Sequence, residues 1–253
     1  MSVRSVRLTI EGRVATIVFD RPEMRNALSL AMYDELSAAC GRIAATPGLR
    51  AAVFRGANGA FVAGTDIAEF RSFENGEDGV RYEGRLERGV AEVETLPVPT
   101  LAVIDGPATG GGLMIATACD LRVASSRARF GVPVARTLGN CLSRANLTRL
   151  ERAFGQGRTR RMLLLADLLD ADEALAAGFL AALAEPDGLE IRVAEILGKL
   201  LANAPLTLAA TRALMRSASE PEEKVVARVY GSRDFKEGVE AFLAKRAPVW
   251  AGE

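Results

Sequence analysis

Residues Asp105–Asp120 read DGPATGGGLMIATACD, and the apolar run Thr100–Asp105, TLAVID, leads into them. That order is a strand, a tight glycine-rich turn and an Ala-rich helix. Gly110, Gly111 and Gly112 carry no side chains, so a ligand can approach the backbone closely. The first N–H groups of a helix lack intrahelical partners and lie at the positive end of its dipole. Such a turn can hold negative charge that develops on an oxygen. The same glycines also suit a plainer role, close packing of a helix on a sheet, and the stretch alone leaves both readings open. Its spacing fits neither a P-loop nor a GxGxxG dinucleotide fingerprint.

A second junction of the same kind lies upstream. Ala51–Gly56, AAVFRG, is a short strand, and GAFVAGTDIAEF follows with Gly59 and Gly64 punctuating a loop. Phe61 and Val62 look buried, and Thr65 or Asp66 can cap a helix that starts at Ile67. Two such junctions can direct two backbone N–H groups at one oxygen, the arrangement an oxyanion hole requires.

Further toward the N-terminus, Val6–Ile10 and Val14–Phe19 form a hairpin around Glu11-Gly12. RPEMRNALS is an ordered loop, and Ser29 caps a helix over Leu30–Ala45 with Leu36, Cys40 and Ile43 on one face. Residues 71–96 are rich in charge and read as a flexible loop and an exposed helix. Glu69, Glu74, Glu83 and Glu87 are assigned to solvent. Leu121–Ala124 and Ala128–Gly131 are short extended pieces. From Leu142 the chain turns helical, over Arg158–Leu165, Asp172–Ala177, Leu189–Ala202, Leu206–Met215 and Phe235–Lys245. Asp172 is placed as an N-cap and Gly178 as a C-terminal glycine. One domain is expected over 1–253, an α/β core over 1–141 and a helical region over 142–253.

Composition narrows the function. Lys+Arg and Asp+Glu balance at 32 each, so no basic surface for nucleic acid is expected. No apolar run approaches the ~20 residues that span a bilayer, and MSVRSVRLTIEG has no apolar leader region. Three scattered cysteines, Cys40, Cys119 and Cys141, point to reduced thiols and a cytoplasmic setting. There is no histidine. Ser-His-Asp and Cys-His mechanisms are thereby excluded, and no metal site is expected. Acid–base work falls to Asp, Glu, Tyr, Lys, Cys or a held water.

RPEMRNALS, AFVAGTDIAEF, IDGPATGGGLMIATACDLRVAS, ARFGVPVA, DADEALAAGFL and DFKEGVEAFLAKRAP occur in this order along nearly the whole chain. Together they resemble the crotonase, or enoyl-CoA hydratase/isomerase, superfamily. The resemblance implies a crotonase-like spiral of ββα units with a C-terminal helical, trimerising region, assembled as a homotrimer or dimer of trimers. It implies a CoA thioester as substrate, with coenzyme A present only as part of that substrate and no permanently bound cofactor, and a place in fatty acid metabolism. It assigns the oxyanion-hole N–H groups to Thr65 and Gly111. It places CoA contacts at Arg25 and Ala27, at Ala63, Asp66 and Ile67, and at Phe242 and Lys245 of the terminal helix.

The resemblance also marks a departure. The two positions where the ordinary hydratase carries glutamates hold Met114 and Val134. Arg136, Thr137, Asn140, Cys141 and Ser143 are the polar groups nearby. Arg136 is a candidate partner for a carboxylate on the acyl group, or else a salt-bridge residue, and Cys141 is expected as a small buried thiol. The expected activity is that of a hydratase or isomerase working through a thioester enolate. The alternatives are a catalytically reduced acyl-CoA-binding protein, or decarboxylation or thioester hydrolysis on the same scaffold.

Overall fold

The computed structural model describes residues 5–216 and 220–253, so the first four residues of the stretch weighed as a leader lie outside it. The hairpin forms as expected from β1 (Val6–Glu11) and β2 (Val14–Phe19), with Val6 opposite Phe19. Ala15, Ile17 and Phe19 are buried while their neighbours are half-buried, the period-two alternation of a strand with one covered face. Next come α1 (Leu30–Ala45), capped by the Ser29 side chain on Met32 N–H, and β3 (Ala51–Gly56). Then follow α2 (Gly76–Glu94), β4 (Thr100–Ile104), β5 (Pro107–Thr109) and α3 (Gly111–Ala118). A second ββα unit comprises β6 (Leu121–Ser125), β7 (Arg129–Gly131) and the single turn α4 (Val134–Thr137).

The successive strands of each unit belong to different sheets. One sheet has the order β1-β2-β3-β4-β6-β9, where β9 is Ala182–Ala184; the other has the order β5-β7-β8, where β8 is Leu169–Asp170. From β2 to β9 the larger sheet is parallel. Phe54, Ala102, Ile104 and Ala124 face the main core with α1, α2 and α3. Val53, Leu101, Val103 and Val123 face the other way, onto Leu189 and Val193 of α7 (Leu189–Ala202). Burial on both faces is why β3 and β4 read as continuous apolar runs rather than alternating ones.

The helical region contains α5 (Arg144–Arg160), α6 (Ala171–Ala176), α7, α8 (Pro205–Met215), α9 (Glu222–Tyr230) and α10 (Arg233–Leu243). The expected helix over Arg158–Leu165 is instead the end of α5 beyond a break at Gly155, followed by a π-turn over Arg161–Leu165. The N-cap of α6 is Asp170 rather than Asp172. Asp170 has extended backbone at the end of β8, and its carboxylate accepts Glu173 N–H at 2.8 Å. Residues 76–94 are also not an exposed helix: α2 buries Tyr82, Leu86, Gly89, Val90 and Val93 against the core.

Asp120 joins the two regions. It accepts hydrogen bonds from the N–H and hydroxyl of Thr100, and ion-pairs with Arg212 and Arg216 at the end of α8, each at 2.7 Å. Arg122 is half-buried beside it and donates to the carbonyls of Ala116, Cys119 and Asp120, closing the C-terminal end of α3.

Candidate active site

The RPEMRNALS loop sets the first wall. Arg25 and Asn26 both have positive φ, and the Asn26 amide is fully buried. Its oxygen accepts Arg21 N–H, and its nitrogen donates to the carbonyls of Ala57 and Ala60. This anchors the loop to the chain that follows β3. Leu28 N–H then donates to Gly64 and Asp66 N–H to Leu28, a short parallel bridge. In such a bridge the intervening residue, Thr65, turns its own N–H away from the partner.

The second junction lies alongside the first. Val62 pairs with Ala108, and Thr109 N–H donates to Val62. Gly110 has φ 51° and serves as the N-cap of α3, so Gly111 is the first residue of that helix. The added Cβ of any side chain at Gly111 would lie 2.6 Å from the Tyr33 hydroxyl and 3.3 Å from Thr65 Oγ1. At Gly112 it would lie 2.1 Å from the Val62 carbonyl oxygen. Gly112 permits the close packing, and Gly111 leaves the helix end without a side chain over it. Among the described residues, neither Thr65 N–H nor Gly111 N–H has a backbone acceptor.

Thr65 and Gly111 line one cavity of about 190 Å³. It shares Phe70, Tyr82, Glu83, Leu138, Asn140 and Leu142 with a wider cavity of about 600 Å³ that runs along α2 and the 138–143 loop. Beneath Thr65 lies a run of three hydroxyls. Thr65 Oγ1 is 2.9 Å from Tyr33 Oη and 2.6 Å from Tyr82 Oη. Burial holds both phenols above the ordinary tyrosine range, so they stay protonated.

Glu83, assigned to solvent from the sequence, is half-buried and lines both cavities. Its carboxylate accepts Ser143 N–H at 2.9 Å. Loss of solvent raises its pKa above the usual carboxylate range against the pull of that N–H, and Glu87 one turn away raises it further. Charge density hid it, because α2 is studded with Arg and Glu. The signal that finds it is its place beside Tyr82 and Leu86, at the margin of the apolar stripe. The other glutamates differ. Glu87 and Glu94 ion-pair with Arg149, each at 2.7 Å, Glu69 accepts Leu30 N–H, and Glu74 is exposed.

The remaining expected site residues divide. Ala63 and Ile67 line the smaller cavity. Arg25 and Ala27 lie in the adjoining loop, where Arg25 carbonyl accepts Ala63 N–H. Asp66 is occupied structurally: it caps Ala68 N–H and pairs with Arg21 at 2.7 Å, and these two partners hold its pKa low. Phe242 and Lys245 are exposed on and just after α10, outside this cavity. Arg136 is exposed and lines neither cavity, because the one turn of α4 directs Val134 and Thr137 inward. Met114 is fully buried within α3 and is not on the cavity wall. Cys141, expected buried, is exposed on the wider cavity, whereas burial pushes the Cys40 thiol up to about 12.

The sequence profile of the family described as "Enoyl-CoA hydratase/isomerase" matches residues 9–253. The short-chain-enoyl-CoA hydratase of Clostridium acetobutylicum is 31% identical over 97% of both chains. The (E)-benzylidenesuccinyl-CoA hydratase of Thauera aromatica is 32% identical over 98% of this chain and 99% of its own. Among solved structures, an enoyl-CoA hydratase/carnithine racemase from Magnetospirillum magneticum superposes with a TM-score of 0.93 at 32% identity, covering 100% of this chain and 97% of that one.

Proposed function

The chain belongs to the enoyl-CoA hydratase/isomerase family, and from that premise we propose that it binds an acyl-CoA thioester with the carbonyl oxygen between Thr65 N–H and Gly111 N–H. The observation that supports this reading is the pair of junctions held side by side, each ending in an N–H without a backbone acceptor and both bordering one cavity. A thioester that gains enolate character concentrates negative charge on its oxygen. Two fixed donors and the positive end of α3 stabilise that charge without reorganising. Arg25, bonded through its carbonyl to Ala63 N–H, would receive the CoA portion together with Ala27, Ala63 and Ile67, and Phe242 and Lys245 would reach it from a neighbouring protomer.

A conjugated CoA thioester whose absorbance shifts to the red when its carbonyl is polarised tests the reading. Wild type is expected to produce the shift. Gly111→Pro removes one donor, costs ~3–4 kcal/mol of transition-state stabilisation, and should abolish both the shift and turnover while CoA still binds. A variant that retains the full shift would overturn the oxyanion assignment.

Hydration of crotonyl-CoA is expected to be weak. Two groups usually share the work, one positioning water and one delivering the proton, and such help is worth ~10²–10⁴ in rate. Val134 presents only methyl groups to the cavity. Val134→Glu adds a carboxylate at the cavity wall and should raise the hydration rate. Met114→Glu would instead bury a carboxylate in the core and destabilise the fold. Wild-type hydration as fast as that of Val134→Glu would contradict this expectation.

A further inference from the structure

We propose that Glu83 is the residue that carries the proton in this site, and that the reaction it supports is a 1,3-proton shift along a 3-enoyl-CoA, giving the 2-enoyl thioester. This inference rests on the thioester reading given above. Among the described residues lining the cavity that holds Thr65 and Gly111, Glu83 and Tyr82 are the only side chains with a titratable proton. Tyr82 is kept protonated by burial and is bonded to Thr65. Glu83 alone can accept a proton near neutral pH. Its surroundings suit a carbon acid: Phe70, Val132, Val134, Leu138 and Leu142 share the walls, and Ser143 N–H holds the carboxylate in place.

The step balances without a co-reactant. The Glu83 carboxylate takes a proton from C2, and the C2–H electron pair becomes the C1=C2 bond of a dienolate. The charge moves to the thioester oxygen between Thr65 and Gly111. The Glu83 carboxylic acid then returns the proton to C4. The C3=C4 pair forms the new C4–H bond, the C1=C2 pair shifts to C2=C3, and the oxygen becomes a carbonyl again. One carboxyl group serves both transfers, so the site needs no second acid and no bound water.

The environment also fixes the pH response. Glu83 is faced by Tyr82 and Glu87 on its own helix, by Tyr33 of α1 and by Ser143, the N-cap of α5; Cys141 lines the same wider cavity, and Arg149, in the second turn of α5, pairs with Glu87. A base with a raised pKa is lost as pH falls through that value. Activity should therefore be full above Glu83's pKa and decline below it, at a higher pH than an ordinary carboxylate would give. Glu87→Gln removes the like charge and should move this limb to lower pH, a shift that a purely structural role for Glu83 would not produce.

The test uses full-length protein with 3-butenoyl-CoA as substrate and butyryl-CoA as the unreactive ligand. Wild type is expected to form crotonyl-CoA and to exchange the C2 protons of butyryl-CoA in deuterium oxide. Glu83→Gln should slow both by ~10²-fold or more, with butyryl-CoA affinity and thermal unfolding preserved. Glu83→Asp, which keeps the carboxylate, should recover part of the rate and the acid limb. If Glu83→Gln reacts as fast as wild type, or if wild type binds butyryl-CoA yet neither isomerises nor exchanges, the Glu83 inference fails and the thioester site stands. If wild type binds no CoA thioester at all, the reading beneath both has failed.

Discussion

At Gly111 the space for one methyl group separates two functions. Its missing Cβ leaves room for the Tyr33 hydroxyl, which would otherwise lie 2.6 Å away. Gly111→Ala is therefore expected to displace Tyr33, disturb the Tyr33–Thr65–Tyr82 hydroxyls and reduce turnover, although the N–H itself remains. Tyr33→Phe deletes the obstructing oxygen, so Gly111→Ala/Tyr33→Phe should recover activity and stability relative to Gly111→Ala alone. Equal loss in the single and double variants would show that the obstruction lies elsewhere. Asn26 is a second position where one side chain holds a wall. All of its amide hydrogen bonds run to backbone. Asn26→Leu leaves those groups unpaired at roughly 1–3 kcal/mol each, and thermal unfolding should register the loss. The hydroxyl run was not legible in the sequence, because Tyr33, Thr65 and Tyr82 are brought together only by packing between α1, α2 and the Thr65 junction. The Thr65 and Gly111 junctions were legible, since glycine placement reports backbone geometry directly.

Helix α2 shows where element-level reading succeeds and fails. Asn75 caps it through Glu77 N–H, and Asp78 accepts from the backbone of Asn75 in return. Asn75→Ala should cost about 1 kcal/mol, and because Tyr82 and Glu83 ride on this helix, the KM for an acyl-CoA thioester should rise with it. An unchanged melting temperature and KM would show that α2 is held by its packing alone. The bounds of α1, β3 and α7 follow from their sequence, where caps and apolar spacing agree. β5, β8 and β9 do not, since strands of two or three residues exist only through their partners. Arg136 was misplaced for a related reason: α4 is a single turn, and nothing in VART fixes which side faces inward. Glu83 was missed because a charged helix looks solvated until the 138–143 loop is laid across it.

The whole protomer leaves apolar side chains uncovered at its helical end. Phe242 is 83% exposed, Leu243 75% and Met215 81%. Large apolar side chains left this exposed mark interaction surfaces when they cluster, so self-association is expected, with sedimentation giving a multiple of the protomer mass. Leu243→Glu should lower that mass, and a wild-type chain that stays monomeric at micromolar concentration would refute the expectation. At this scale the half-burial of Glu83 has an experimental consequence. The chain has no histidine, the side chain that in most proteins fills the gap between ordinary carboxylates and thiols. Its potentiometric curve should be unusually flat across that gap, with little background buffering against which to read a single site. A difference titration of wild type against Glu83→Gln then counts one proton per chain directly. Repeated with a bound thioester, it reports how far the ligand displaces that proton's midpoint.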